Sequence, residues 1–196
     1  MEKKCINLSD IDEAVACVDL DNLAGVVQEV IYGYWEDVAT WPDLPAPADD
    51  ASMSFEEAGA WDGDVVMKNG CRAYKLVFTD ESGELQITDQ GETGGESCKY
   101  SMDIVRAKMS KVIFGFENAT RGRRLFLIVT DKNGNSYLMG DKLNACRKVA
   151  GDASTTGKTG TDLNKTPLKF EYNCPRKLMY TGDMVKLLTV AEAPGG

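Results

Sequence analysis

Residues 121–173 constrain this chain most, because they read as two consecutive β-hairpins. In the first, Arg123 to Thr130 is a β-branched and aromatic run, and Ser136 to Gly140 returns after Asp131-Lys132-Asn133-Gly134-Asn135. Asn-Gly supplies the positive φ that a tight hairpin turn requires. The second begins near Arg147-Lys148-Val149-Ala150 and passes through the small, polar stretch Ser154 to Gly160. It is expected to turn near Asn164-Lys165 and to return as Pro167 to Tyr172.

Upstream, the strand signal is steady. Gly25 to Tyr34 is the first strand, rich in β-branched and aromatic residues. Trp35 to Trp41 reads as a short helical turn, and Pro42, Pro45 and Pro47 end regular structure. Asp64 to Met67 is a short strand closed by the Asn69-Gly70 turn. Arg72 to Thr79 alternates, with Tyr74, Leu76 and Phe78 on one face and Lys75 and Thr79 on the other. After Asp80-Glu81-Ser82-Gly83, the run Glu84 to Gln90 turns Leu85 and Ile87 inward. Ser97 to Val105 places Tyr100, Met102 and Ile104 together.

Ala107 to Asn118 is the one good helix, with Met109, Val112, Ile113 and Phe116 spaced as an apolar stripe. A short extension is expected at Tyr180, with Val185 to Leu188 after it. The sum is a mainly β chain: an antiparallel β-sandwich or barrel with one flanking α-helix and long loops. Residues 1–24 read as an N-terminal arm, in which Asp10 to Leu20 forms a short helix or a loop. Residues 25–190 form the domain and 191–196 a flexible tail.

Chemistry is sparse. There is no histidine among the 196 residues, which removes the commonest general acid–base and metal ligand. A Ser-His-Asp or Cys-His site is excluded. The six cysteines, at 5, 17, 71, 98, 146 and 174, show no C-x-x-C spacing and read as reduced, packed thiols. No apolar run approaches the roughly 20 residues of a membrane helix. The N-terminal lysines precede acids rather than a hydrophobic block, so no secretory signal is expected.

Three local patterns imitate known sites. Gly157-Lys158-Thr159 ends like a phosphate-binding loop, but Asp152 stands where the leading glycine belongs. Asp131 to Asn135 begins like a calcium loop, but Lys142 replaces the closing glutamate. Asn118-Ala119-Thr120 has the form of a glycosylation sequon, and Asn118 reads as a helix cap instead. No catalytic residue, metal ligand or cofactor is assigned. Asp43, Asp49, Asp50, Glu56 and Glu57 could in principle hold a metal, but loosely spaced acids on a proline-broken loop suit solvent or a partner's cations better.

Charge is the remaining signal. Net charge is −9, split between −13 over residues 1–70 (16 acids, 3 bases) and +4 over residues 71–196 (15 acids, 19 bases). Such asymmetry suits a surface that meets an opposite surface on another copy. The other reading is a solvated acidic segment ahead of an ordinary domain. Overall acidity argues against tight nucleic-acid binding, which needs a basic patch. It is compatible with a surface past which DNA slides.

Several features together resemble the tail tube (major tail) proteins of tailed bacteriophages, over about residues 25–175. They are Lys68 to Tyr74 leading into an alternating strand, Glu84-Leu85-Gln86 with its Gly-rich turn, and the strand–helix passage Tyr100 to Phe116. To these add Leu125 to Gly140, followed by Ala150-Gly151-Asp152, Thr156-Gly157-Lys158 and Leu168 to Tyr172.

The resemblance implies a two-sheet sandwich with a flanking helix. Hairpins of six subunits join edge to edge in a ring, and rings stack into a hollow tube that conducts the genome. It implies a virion protein assembled in the bacterial cytoplasm. Its partners would be itself, other tail or connector proteins and passing DNA, with no membrane. A non-adhesive lumen would be acidic, and Asp80, Glu81, Glu84, Asp89 and Glu92 are the expected lumen or interface acids. The loop 42–63 would reach a neighbouring ring through Trp41, Asp43, Asp49, Asp50, Glu56, Glu57 and Trp61. Alternatives are a head–tail connector or tail terminator, a soluble β-sandwich binding module, and a carboxylate–metal enzyme.

Overall fold

The computed structural model describes residues 6–11, 22–47 and 52–191. The alternation of the sequence translates into two four-stranded antiparallel sheets. The first sheet contains β1 (Val26–Tyr34), β4 (Tyr74–Val77), β7 (Leu125–Asp131) and β8 (Ser136–Met139), in the order β4-β1-β7-β8. The second contains β5 (Glu84–Gln90), β6 (Ser97–Ala107), β9 (Arg147–Val149) and β10 (Lys165–Cys174), in the order β5-β6-β10-β9. β2 (Val38–Thr40) and β3 (Val66–Met67) form a small third ribbon. The mainly β, antiparallel architecture expected from the sequence is the one observed.

Register explains the core. On β6 and β10, Cys98, Tyr100, Met102 and Ile104 lie opposite Cys174, Tyr172, Phe170 and Leu168, and all eight are buried. On the first sheet, Val30, Leu127, Val129 and Met139 share one buried face by the same period-2 rule. Phe126, Ile128 and Leu138 occupy the opposite face and are also buried. Trp41 stacks edge-on against Phe126, and Met184 reaches Thr130 and Ser136. The first sheet is therefore covered on both faces, which is why β7 reads as an unbroken apolar run.

Three helices accompany the sheets among the described residues. α1 (Phe55–Ala58) is a single turn. α2 (Lys111–Thr120) is capped by Ser110, whose hydroxyl accepts from the Ile113 N–H. It bridges the layers, because Phe116 touches Tyr32 on β1 and Phe170 on β10. α3 (Met184–Leu188) is capped by Asp183 and takes in the Val185 to Leu188 run that follows Tyr180.

Other sequence expectations are corrected in detail. The stripe on α2 is Ile113, Phe116 and Thr120, while Val112 is 82% exposed. Val112 heads the helix one position off the buried face, and Thr120 supplies the last buried position instead. Asn118 caps nothing, since the helix runs on to Thr120 and Arg121 is its C-cap. Trp35–Asp37 is a 3-10 turn, but Val38–Thr40 is already strand.

The first hairpin is as expected, with Gly134 at φ 91°. The two hairpins belong to different sheets, however, and β10 pairs over its whole length with β6 rather than chiefly with β9. The reversal before β10 lies at 157–162, where the Asp162 carboxylate accepts from the Lys158 and Thr159 N–H groups. Asn164 and Lys165 are past the turn, and Lys165 exchanges two backbone bonds with Thr155.

Candidate functional site

Backbone direction decides which strand edges are free. Lys165 aims its N–H and C=O at Thr155, away from β6, so Thr166 and every second residue to Cys174 aim at β6. Pro167, which has no N–H to give, falls on an outward position. Carried across β6, this alternation sends Glu84, Gln86, Thr88 and Gln90 of β5 toward β6. The N–H and C=O groups of Leu85, Ile87 and Asp89 point outward instead, and no backbone partner meets them among the described residues. β5 is thus an open edge, of the kind that pairs with another strand.

The far edge of the same sheet is β9. It is short and opens on a groove of about 520 Å³ between itself and the end of α2, lined by Phe114, Glu117, Arg121, Lys148 and Val149. Lys148 lies opposite Phe170 and pairs with Glu117 across 3.0 Å. The two edges differ in sign once Asp89 is set against Lys177 and Lys148 against Glu117. β5 carries Glu84 and Asp89 with Asp80, Glu81 and Glu92 in its flanking turns, whereas β9 carries Arg147 and Lys148 with Arg121 nearby.

The five expected lumen or interface acids do not form one cluster. Asp80, Glu81 and Glu84 sit at one end of β5. Asp89 and Glu92 sit at the other end, roughly 20 Å away at about 3.4 Å per residue. Glu81 takes a positive φ of 56° in its turn. Asp89 is engaged: its carboxylate meets Lys177 at 2.6 Å and accepts from the Cys98 thiol at 3.7 Å. The Lys177 contact holds the Asp89 carboxyl below its ordinary value.

The solvent face of the second sheet carries Glu84, Asp103 and Glu171 against Lys99, Arg147 and Lys169. Lys99 pairs with Glu171 and Lys169 with Asp103, so this face is charge-balanced rather than acidic. Sequence reasoning missed this, because the balance arises only once separate strands are set in register.

The loop 42–63 is tied down at its neck, where Asp43 and Asp62 exchange two backbone hydrogen bonds. Ser54 and Glu57 form a capping box on α1, and the Ser54 N–H holds the Glu57 carboxyl low. Glu56 lies exposed on that turn. Trp61 is buried within the chain, at 4% exposure, and Trp41 is half-buried against Trp35 and Phe126. The Asp43 carboxylate pairs with Lys142. Asp49 and Asp50 lie outside the described residues.

The imitation motifs are occupied internally. The Asp131 carboxylate receives the Asn133 and Asn135 N–H groups, the Asn135 amide and the Tyr137 hydroxyl, which closes the hairpin. The Lys158 and Thr159 amides, which a phosphate would need, are taken by Asp162. Buried Asp141 serves architecture: it accepts from the Tyr172 hydroxyl at 2.6 Å and from the Leu143 and Asn144 N–H groups. Compared with protein-family models, curated proteins and solved structures, the chain matches none.

Proposed function

We propose that this chain is a self-assembling structural subunit of a bacteriophage tail tube, forming rings that stack around a DNA-conducting channel. The observation that carries the reading is the pair of open, oppositely charged edges on one sheet. β5 of one copy, rich in acids, is complementary to the basic β9 edge of the next. Such a contact is heterologous, so repetition about an axis closes a ring. Outward amides at Leu85, Ile87 and Asp89 supply the main-chain bonds, and opposite charge sets the order of the partners.

Six copies per ring is what the resemblance implies. With β5 committed to the subunit contact, its acids serve the interface between copies rather than the lumen. A connector or terminator role shares the same edge chemistry and differs only in what stacks above and below.

Ile87→Pro tests the edge. Proline there removes an outward N–H that the subunit's own ladder does not use. Sedimentation should show concentration-dependent assembly for the native chain and loss of it for Ile87→Pro with a retained β spectrum. A native chain that stays monomeric at every concentration would overturn the reading.

A further inference from the structure

We propose that Cys98 and Cys174 form a cross-strand dithiol that closes to a disulfide under oxidation and clamps the end of β10 to β6. The two residues are directly opposed in the β6–β10 register. The backbone alternation that turns Cys174 toward β6 makes them a hydrogen-bonded pair, whose Cα atoms lie about 5.5 Å apart, within the span a disulfide bridges. Opposed residues project to the same face, and both side chains are buried, at 6% and 1% exposure. Both are free thiols in this structure. The other described cysteines are placed elsewhere: Cys146 is opposite Leu125, and Cys71 bonds to Lys68 and Ala191 in a turn.

Geometry also sets the character of the bond. Cβ atoms of a hydrogen-bonded pair stand farther apart than the roughly 3.8 Å a relaxed disulfide prefers, so closure strains the strands. A strained disulfide is readily reduced, so the dithiol persists in a reducing cytoplasm and closes only against a stronger oxidant. Burial pushes both thiols up from their ordinary values, which slows the attack.

With oxidised glutathione the chemistry balances. The Cys98 thiolate attacks one glutathione sulfur, and a mixed disulfide forms as the first glutathione thiolate leaves. The Cys174 thiolate then attacks Cys98 Sγ and expels the second. Two protein thiols lose two protons and two electrons, and one glutathione disulfide becomes two thiols. The Cys98 thiol hydrogen-bonds the Asp89 carboxylate, which Lys177 keeps ionised, and both protons pass to solvent base.

Closure would tighten the segment after β10. Leu178 donates its N–H to the Tyr100 hydroxyl, and Tyr180 donates to Ser136 of β8, so the 174–180 segment joins both sheets. The test treats the intact chain with oxidised glutathione, then unfolds it in an alkylating reagent and maps the peptides by mass. A Cys98–Cys174 crosslink, reversed by dithiothreitol, is expected, together with severalfold slower amide exchange over 174–180. Cys98→Ser and Cys174→Ser should each lose the crosslink. Separate alkylation of Cys98 and Cys174 after oxidation, or a glutathione adduct that persists on Cys98, would overturn the proposal. The readout is the covalent state of one chain, so it stands or falls independently of assembly.

Discussion

Gly33→Ala should destabilise the subunit through one side chain. Gly33 lies on β1 under the ring of Phe126, and a Cβ there would sit 2.5 Å from Phe126 Cε1 and 2.9 Å from Cζ. The ring cannot retreat freely. It is fully buried, Trp41 packs edge-on at 5.9 Å, and a Cβ on Gly140 would already press on Phe126 Cβ at 3.0 Å. Overpacking of this kind costs about 1–3 kcal/mol. Alanine also restricts the unfolded chain, which returns about 0.4–1 kcal/mol. The net loss is about 1–2 kcal/mol, or a fall in Tm of roughly 2–8 °C for a chain of this size. Calorimetry or thermal circular dichroism measures it. Gly33→Ala combined with Phe126→Leu should lose less than the two single changes added together, because leucine vacates the space. A neutral Gly33→Ala, or strict additivity in the pair, would refute the role given to the Phe126 ring.

Other expectations are independent of that site. Ser110→Ala removes the α2 cap and should cost about 1 kcal/mol, seen as a lower denaturant midpoint with an unchanged slope. The N–H groups of Lys186 and Val185 hold the Asp183 carboxyl below its ordinary 3.8. Such a depressed carboxyl adds stability above the unfolded value and loses it as pH falls through the lowered folded one. Asp183→Asn, which keeps an N-cap acceptor, should therefore flatten the fall in Tm below about pH 4. Gly134→Val forces a β-branched residue to φ 91° and should cost about 1–2 kcal/mol. If the β7–β8 hairpin meets a neighbour, assembly should weaken more than the far-ultraviolet spectrum.

Much of the fold is legible in the sequence because alternation and turn chemistry agree. Tyr100, Met102 and Ile104 fall together by period alone, and Asn133-Gly134 marks its turn. The features that escape are non-local. Val112 matches a helical stripe, but which face of α2 is buried depends on where Tyr32 and Phe170 lie across two sheets. The partner of β10 cannot be read locally, since β6 lies some 60 residues upstream across α2 and the first hairpin. The acids near β5 look like one group because they are close in sequence, yet a strand's length separates them in space. The edge polarity depends on strand order, and neither the −13 nor the +4 segment contains it.

If two complementary edges build a ring, the ring should be visible. Negative-stain electron microscopy of the purified chain at high concentration looks for it. Rings or stacked tubes with a central hole are expected for the native chain and should be absent from Ile87→Pro. A field of uniform single subunits for the native chain, or tubes unaffected by Ile87→Pro, would contradict edge-to-edge assembly.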